Sequence, residues 1–481
     1  MEKIIPPSLP SPSRGPWRAR LASALVLAAA GCAHYQPKPL VLDQTAAAYD
    51  ARSLDGADLR RFLEKNLGRD FAAWPPAEWD FETLAWVAFH NNPSLDVARA
   101  QWETARAGVK TGTAPPNPTL AFTPGYNSSS SGISPWFPAL TLDFLLENRG
   151  KRELRAESAR RAAESARQAV FTAAWQVRSE LRKALLDLAS AAQRGAGLRE
   201  QAQIQQRLAA LLDLRLRAGT IAGREISTAR LAVVRAEAAA SEAERTAALA
   251  RQRVAQALSL PAAALAHVRF APPPPPAILT AVQLSAARRR SLLTRADVLG
   301  ALARFAAAQS ALDLEIAKQR PDLHLGPGYQ WDQGDSKWSL ALTFELPLFN
   351  HNEGPIAEAE ARRREAAAQF LATQARALAE IDSAAAAQSA AVAQIESLHR
   401  VQAAFADQQS ALAARLRAGG ADQLEVQGAA LERAAVDQTL RDAEALAALA
   451  AGQLEDALQI PFSNLATLAT PGPTSALPSS P

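Results

Sequence analysis

The sequence predicts a mainly α-helical protein with a small β part suited to a membrane, built from one unit that occurs twice. Two observations predict this fold class. Short segments recur in the same order in both halves, and in each half a strand hairpin precedes a long helical hairpin. The composition agrees, because 48% of the 481 residues are hydrophobic and only 6% are aromatic. Much of the apolar content is alanine, which favours close packing between helices.

The duplication is clearest around the pentapeptide RLRAG. RLRAGTIAGREISTARL (215–231) aligns without a gap with RLRAGGADQLEVQGAAL (415–431). In the same register, ALSLP (257–261) matches ALQIP (457–461). The prediction is therefore a first repeat at 81–261, a proline-rich connection at 262–284 and a second repeat at 285–461.

Each predicted strand hairpin consists of segments in which apolar and polar side chains alternate. PNPTLAFTPGY (116–126) and LTLDFLL (140–146) form the first hairpin, and QRPDLHLGPGY (319–329) and LALTFEL (340–346) form the second. Alternation with a period of two indicates strands, and strands of about ten residues are long enough to cross a bilayer. Four strands cannot close on themselves, so several chains would have to pool them in a membrane.

Aromatic side chains gather near the predicted hairpin loops. In a transmembrane barrel they would form the girdle at the membrane interface, whereas in a soluble sheet they would be core residues. The positions of the aromatic residues in the sequence are compatible with both interpretations. The candidate interface aromatics are Tyr126, Trp136, Tyr329, Trp331 and Trp338.

A very long helix is predicted after each strand hairpin. Residues 151–218 contain no proline and only two glycines, Gly195 and Gly197, and residues 356–418 contain neither residue type. Each helix would be roughly 95–100 Å long at about 1.5 Å per residue. Helices of that length imply coiled packing or a helical barrel. A second helix then returns to the proline at 261 or 461.

The RLRAG pentapeptide has the properties of a helix end followed by a tight turn. Glycine at the end permits a positive φ, and arginine in the last turn complements the negative end of the helix dipole. The pentapeptide therefore predicts two helical-hairpin turns. Their residues are Arg215, Arg217, Ala218 and Gly219 in the first repeat, and Arg415, Arg417, Ala418 and Gly419 in the second.

Residues 1–31 have the layout of an export signal. A basic segment ends at Arg20, and the ten-residue apolar run Leu21–Ala30 that follows is too short to span a membrane. Small residues before Cys32 resemble a bacterial lipobox, in which the cysteine is lipidated. Ala29 stands where leucine is usual, so the alternative is an ordinary signal peptide with an incidental cysteine. Both interpretations predict an exported protein.

Composition and motifs argue against several other classes. Cys32 is the only cysteine and the six histidines are scattered, so neither an intrachain disulfide nor a metal site is predicted. No basic patch suited to nucleic acid occurs beyond residues 1–31. The sequence contains no phosphate loop and no nucleophile elbow, and we expect neither an enzyme nor a cofactor. His324, on the polar side of a predicted strand, is interpreted as facing a lumen.

The duplicated order of these elements resembles the TolC-like outer-membrane efflux protein family. The resemblance also rests on NPSLDVARAQWETARAGV (92–109), on RADVLGALARFAAAQSALDLEIAKQRPDL (295–323) and on the pattern G-x5-acid-[I/V]-x2-A, which starts at Gly219 and at Gly419. It covers residues from about 81 to 461. NRGKR (148–152) is similar to the cobalt–zinc–cadmium branch of the family.

This resemblance implies a homotrimer in which four strands from each chain form one outer-membrane β-barrel, continued by a periplasmic α-helical barrel. The glycine turns would lie at the periplasmic tip, where a periplasmic adapter (membrane-fusion) protein and an inner-membrane efflux pump of RND type would dock. The channel would be passive, and its substrates would be metal cations or drugs. Residues 32–80 would belong to an equatorial belt, and 462–481 would form a disordered tail.

The family also implies a ring of acidic residues that constricts the pore near the tip. The matching positions are Glu425 in the second repeat and Glu225 in the first, while a second acidic position of some relatives is occupied by Gly428. Three copies of each carboxylate would favour cations. The alternative is that both are solvated helix residues. For the whole chain, the alternative is a lipid-anchored periplasmic coiled-coil structural or adapter protein, which would leave the strand hairpins unexplained.

Overall fold

The computed structural model describes residues 36–129, 132–148, 150–271 and 278–462. The proposed lipidation site Cys32, most of the proline run and the tail beyond Phe462 lie outside these residues. The chain divides into two compact units, of which the first ends at Ala51 and contains helix α1 (Leu42–Asp50). The second unit begins at Arg52 and contains all the elements discussed below.

A series of five elements occurs twice in the same order in the second unit, and short helices precede each series. The leading helices are α2 (Ala57–Leu67) and α3 (Phe81–Asn91). The first series is α4 (Pro93–Thr113), β1 (Thr119–Thr123), β2 (Ala139–Leu146), α5 (Lys151–Arg217) and α6 (Gly223–Ala257). After a short 3₁₀ helix (Ala262–Leu265) and α7 (Ala281–Thr294), the second series is α8 (Ala296–Ala317), β3 (Leu323–Asp332), β4 (Asp335–Phe344), α9 (Glu353–Arg417) and α10 (Gln423–Leu458).

The long helices α5 and α9 contain 67 and 65 residues. Helix α5 continues through Gly195 and Gly197 without a break. Helix α9 begins three residues before the predicted start and includes Pro355 in its first turn. Proline is tolerated there because the first N–H groups of a helix have no intrahelical acceptor. The helix therefore starts three residues before the stretch without proline or glycine that predicted it.

The four strands form one antiparallel sheet in the order β1-β2-β3-β4. Leu140 pairs with Tyr329 where the two strand hairpins meet, so the sheet joins the two repeats. A two-residue loop with positive φ at Gln333 and Gly334 connects β3 and β4, as expected for a tight hairpin. Strand β1 is shorter than predicted and ends at Thr123, because Pro124 has no backbone N–H to donate.

The two repeats use matching positions for their cores. Leu181, Val254 and Leu258 lie in the core cluster of the first helical hairpin and are almost fully buried. Their counterparts 200 positions later, Ile381, Leu454 and Leu458, occupy a second cluster and are buried to the same degree. Phe462, predicted to belong to the tail, packs against this second cluster. Helix α10 also packs against α5 and so joins the two helical hairpins.

The first core cluster also includes aromatic residues that precede the first repeat. Trp79 is buried, and it pairs in parallel with Phe270 from the connection that follows α6. The Trp79 N–H donates to the Arg269 carbonyl at 3.0 Å, and the Ala271 N–H donates to the Trp79 carbonyl at 3.0 Å. The segment before the first repeat therefore pairs with the segment that follows it.

Two arginines of α5, in the first repeat, hold the C-terminal end of α10 in the second. Arg182 on α5 donates to the Gly452 carbonyl at 2.8 Å and pairs with Asp456 at 2.6 Å. Arg178 pairs with Glu455 at 2.6 Å, and burial lowers the pKa of this guanidinium. The last carbonyls of a helix lack intrahelical donors, so these cations stabilise the helix end. None of the helices within the described residues combines the length and apolarity needed to cross a membrane.

Candidate functional site

Both RLRAG segments form the same kind of helix end. Gly219 has a φ of +69° and Gly419 has a φ of +75°. The Thr220 N–H donates to the Arg215 carbonyl at 3.0 Å, and the Gly420 N–H donates to the Arg415 carbonyl at 2.9 Å. These are the bonds of a Schellman motif, in which a left-handed glycine lets the chain satisfy the last carbonyls of the helix. The repeated pentapeptide is thus a repeated helix terminator.

The returning helices begin differently in the two repeats. Asp422 caps α10, since its carboxylate accepts the Leu424 N–H at 3.2 Å. The matching residue before α6 is Ala222, which has no side chain able to cap. An aspartate at this position typically stabilises a helix by about 1 kcal/mol relative to alanine. We call residues 213–230 the first tip and residues 413–430 the second tip.

The two tips are connected by an ion pair. Arg215 Nη2 of the first tip contacts Asp422 Oδ2 of the second, and both side chains are partly exposed. Within the first tip, Asp213 pairs with Arg217 at 2.6 Å and with Arg230 at 3.0 Å. In the second tip, Arg415 donates instead to the Gly420 carbonyl at 3.0 Å. The structure therefore brings the two predicted turns together through side chains that the turn motif alone does not identify.

Glu225 and Glu425 lie in the first turns of α6 and α10 and are exposed. A carboxylate at this position is also stabilised by the positive end of the helix dipole. This position is compatible with both helix stabilisation and a pore role. A Cβ added at Gly428 would meet nothing within 4 Å, so the second acidic position of some relatives would have room for a side chain here.

The predicted interface aromatics are brought together near the hairpin loops. The Tyr126 and Trp136 rings lie 5.0 Å apart between centroids, and the Tyr329 and Trp338 rings lie 4.9 Å apart. Trp338 is 81% exposed, and all ten residues of β4 are exposed. The interpretation of these aromatics as core residues is therefore wrong for Trp338. The Trp331 N–H donates to the Pro138 carbonyl at 3.1 Å, which places this residue beside the same group.

The polar side of the sheet contains a pair that the sequence analysis did not identify. His324 Nδ1 on β3 lies 2.9 Å from Asp143 Oδ2 on β2. Both residues stood on the polar side of the predicted strands, but their contact depends on the register between two hairpins. The two residues lie diagonally across the antiparallel register of β2 and β3, and no pattern within one hairpin identifies the pair.

The strand-to-helix junction is held by a buried lysine. Lys151 Nζ donates to the Arg320 carbonyl at 2.7 Å and pairs with Asp322 at 2.8 Å. The Asn148 N–H donates to the same Asp322 oxygen at 2.8 Å. Burial disfavours the ionised Asp322, but these two donors outweigh burial and lower the pKa of the carboxyl. This junction contains the NRGKR segment, of which Arg149 lies outside the described residues.

A cavity of about 500 Å³ lies between helices of both repeats, near the C-terminal end of α10. Its walls include Trp175, Arg295, Glu380 and Asp456. Arg295 pairs with Glu380 at 2.9 Å, and burial raises the pKa of Asp456 in spite of its pairing with Arg182. The cavity does not coincide with any predicted site residue. Among the described residues, no group of three or more His, Cys, Asp or Glu is arranged to hold a metal ion.

Comparison with known proteins places the fold. Residues 86–259 match the family model of the outer membrane efflux protein. A membrane protein from Pseudomonas aeruginosa has 22% identity and a TM-score of 0.65, with 79% of this chain and 93% of that chain covered. The outer membrane protein VceC from Vibrio cholerae has 21% identity and a TM-score of 0.66, with 81% and 100% covered. The CmeC outer membrane channel of Campylobacter jejuni has 15% identity and a TM-score of 0.63, with 79% and 85% covered.

The chain therefore has the fold of TolC-like outer-membrane channels. The match of residues 86–259 to the outer membrane efflux protein model confirms the resemblance drawn from the sequence. No curated protein matches the chain in sequence. The family model covers the first repeat, and the second repeat shares its order of elements in the structure.

Proposed function

We propose that this chain is the outer-membrane channel of a tripartite efflux system, a passive trimeric duct from the periplasm to the exterior. The observation that carries the proposal is the combination of an exposed apolar sheet with two long helical hairpins on one chain. Large apolar side chains of every strand except β3 are exposed, among them Leu120, Phe122, Leu140, Leu340 and Leu342. An apolar surface of this extent needs lipid or another copy to cover it.

A homotrimer accounts for the exposed faces of the long helices as well. Leu231 and Val234 on α6 and Leu371 on α9 are exposed although they lie on long packed helices. Helix α6 packs on α5, and α9 packs on α8 and α10. In one copy of the chain, α6 and α9 are therefore the outermost of the long helices. Neighbouring copies would cover these free sides and close the row into a tube.

The tips are the proposed docking site for a periplasmic adapter and, through it, an inner-membrane pump of RND type. Two turns of the same geometry lie together, and the Arg215–Asp422 pair links them. Three copies would present six turns in a ring. Glu425 and Glu225 would line the entrance on the inner side of that ring and favour cations. Metal cations or drugs are the proposed substrates.

The proposed location is the outer membrane with an extension into the periplasm. The aromatic pairs Tyr126–Trp136 and Tyr329–Trp338 support the position of the sheet, because such residues concentrate at membrane interfaces. Export by residues 1–31 and lipidation of Cys32 belong to the same proposal. The segment around Trp79, paired with the connection at Phe270, supports a belt formed by residues 32–80 and 262–284.

Purification of the mature chain in detergent, followed by planar-bilayer recording, tests the proposal. The expected result is a particle with the mass of three chains that gives single-channel currents. A monomer that stays in buffer without detergent and gives no current would refute the channel and favour the coiled-coil adapter alternative. Mass spectrometry of the same sample would show whether Cys32 carries lipid.

A further inference from the structure

The cavity between the two repeats has the size and the accessibility of a small-molecule site. Its volume is about 500 Å³, within the range of roughly 300–1,000 Å³ that is usual for such sites. Helix α5 provides one wall and α9 another, and the C-terminal end of α10, which packs on both helices, completes it. The Glu380 side chain in the α9 wall is 46% exposed, so a ligand can reach the cavity from solvent.

The wall formed by α9 is not the side of this helix that is proposed to face a neighbouring copy. Leu371 lies on that proposed side, and Glu380 follows it by nine residues. At 3.6 residues per turn this separation is about two and a half turns, so the two side chains point to opposite sides of the helix. The cavity is therefore formed within one chain and does not use the proposed contact between copies.

The positive charge of Arg295, in the cavity wall, is already fully used. Its Nε and Nη2 donate to the two carboxylate oxygens of Asp297, at 3.0 and 2.7 Å. Nη2 also donates to Glu380 at 2.9 Å, and Nη1 donates to the Ala457 carbonyl. Of the described residues in the walls, Arg295 is the only cation. The cavity therefore offers no free positive charge to an anionic ligand.

The acids at the other side of the cavity are less well compensated. Asp456 and Glu455 share the guanidinium of Arg182, at 2.6 and 2.9 Å, and Glu455 also pairs with Arg178 at 2.6 Å. Together with the group around Arg295, four carboxylates stand against three guanidinium groups. Burial raises the pKa of the Asp456 carboxyl in spite of Arg182, so its negative charge is only partly compensated. The cavity lacks one positive charge.

Apolar surface lies beside these carboxylates. Trp175, Ala384, Ala387 and Ala457 line the cavity. An indole ring attracts cations through its π face and also packs against apolar groups. The Trp175 ring already has the Arg178 guanidinium 5.3 Å from its centroid, which places it in the same electrostatic environment as the acids. The walls thus combine an unbalanced negative charge with an aromatic and aliphatic surface.

We propose that this cavity binds an organic monocation, with its positive charge beside the carboxylates of Glu380 and Asp456 and its apolar part against Trp175. The C-terminal tail of the chain is a poor alternative occupant, because residues 463–481 contain no lysine, arginine or histidine. The inference goes beyond the proposed channel and does not depend on conduction, since the walls belong to one chain.

Isothermal titration calorimetry of the intact chain in nonionic detergent tests the site. Benzyltrimethylammonium is the probe, and benzyl alcohol and phenylacetate are its neutral and anionic counterparts. We expect only the cation to bind saturably, with one site per chain. Glu380→Gln should weaken this binding about fivefold, because the cation loses one partly exposed ionic contact. Asp382→Asn is the matched control and should leave binding unchanged, since Asp382 also lies on α9 and pairs with an arginine, Arg288, but is not part of the cavity wall.

Ala387→Phe places an aromatic ring in the cavity and should abolish binding without lowering the thermal midpoint of unfolding. Equal binding of the three compounds, no binding of the cation, or equal weakening in Glu380→Gln and Asp382→Asn would overturn the inference. Binding that appears only after removal of residues 463–481 would identify the tail as the occupant and overturn it too. Bilayer recording is a separate readout, because a chain that conducts without binding the cation loses only this inference.

Discussion

Arg215, in the last turn of the first long helix, forms an ion pair with Asp422, the residue that caps the returning helix of the second hairpin. The pair crosses from one repeat to the other at the end of both hairpins. Asp422 therefore stabilises two things at once, the start of α10 and the contact between the tips. Substitutions can separate these contributions.

Asp422→Asn should keep the helix cap and lose the ion pair, because asparagine caps as well as aspartate does. We expect the tips to separate more readily, so that single-channel conductance of the trimer increases. A partly exposed pair contributes at most about 1 kcal/mol, so assembly should be unaffected. Conductance in planar bilayers measures the effect.

Arg215→Gln should raise conductance by the same factor, and the double variant should add nothing, because the two side chains act as one pair. Ala222→Asp, which adds a cap at the matching place in the first repeat, is the control and should leave conductance unchanged. Additive effects of the two single variants would show that the pair does not hold the tips.

Glu425→Gln should reduce cation selectivity if three copies of Glu425 lie around the entrance. Removing a ring of carboxylates weakens the local attraction for cations. The measurement is the reversal potential across a salt gradient. Glu225→Gln is the matched variant from the first repeat, and we expect a smaller shift. An unchanged reversal potential in Glu425→Gln would place this residue outside the pore.

The Lys151–Asp322 contact should make the strand-to-helix junction sensitive to acid. The pKa of Asp322 is lowered in the folded protein, since the donors from Lys151 and Asn148 outweigh burial. Its contribution to stability is therefore present above the ordinary aspartate pKa of about 3.9 and is lost as the pH falls through the lower folded value. Asp322→Asn should lower the thermal midpoint at pH 7, and the difference from the unmodified protein should disappear well below pH 4. A difference that stays constant with pH would exclude this ionisation as its cause.

The two glycines inside α5 should respond differently to alanine. A Cβ at Gly195 would meet only Ala243 Cβ, at 3.8 Å, so Gly195→Ala should stabilise the helix by up to about 1 kcal/mol. A Cβ at Gly197 would lie 2.1 Å from Gln438 Oε1 and 2.7 Å from Arg441 Nη2, so those side chains would have to move. We expect Gly197→Ala to gain less or to lose stability. Thermal unfolding of the two variants side by side measures the contrast, and equal gains would contradict it.

Local patterns predicted most of the fold. The repeated segments, the alternation of strand residues and the glycine that ends RLRAG are each visible in a short stretch of sequence. The structure has the corresponding helices, strands and turns. The early start of α9 and the early end of β1 were missed, because both depend on which backbone N–H groups need an acceptor around Pro355 and Pro124.

Contacts between the repeats could not be predicted in this way. The pairs Arg215–Asp422 and His324–Asp143 join residues about 200 positions apart. Whether such residues meet depends on how two hairpins pack or pair, and a motif within one hairpin contains no information about that. The tips were found from sequence as two separate turns, and only the packing of α10 on α5 makes them one surface.

The ion pair between the tips also bears on the history of the duplication. A chain assembled from two first halves would set Ala222 opposite Arg215, and one assembled from two second halves would set Asp422 opposite Arg415. In a chain of two first halves, Arg215 would have no aspartate to pair with. In a chain of two second halves, Arg415 would have to leave the Gly420 carbonyl in order to pair with Asp422. The two halves remain alike in their cores but are no longer interchangeable where they touch.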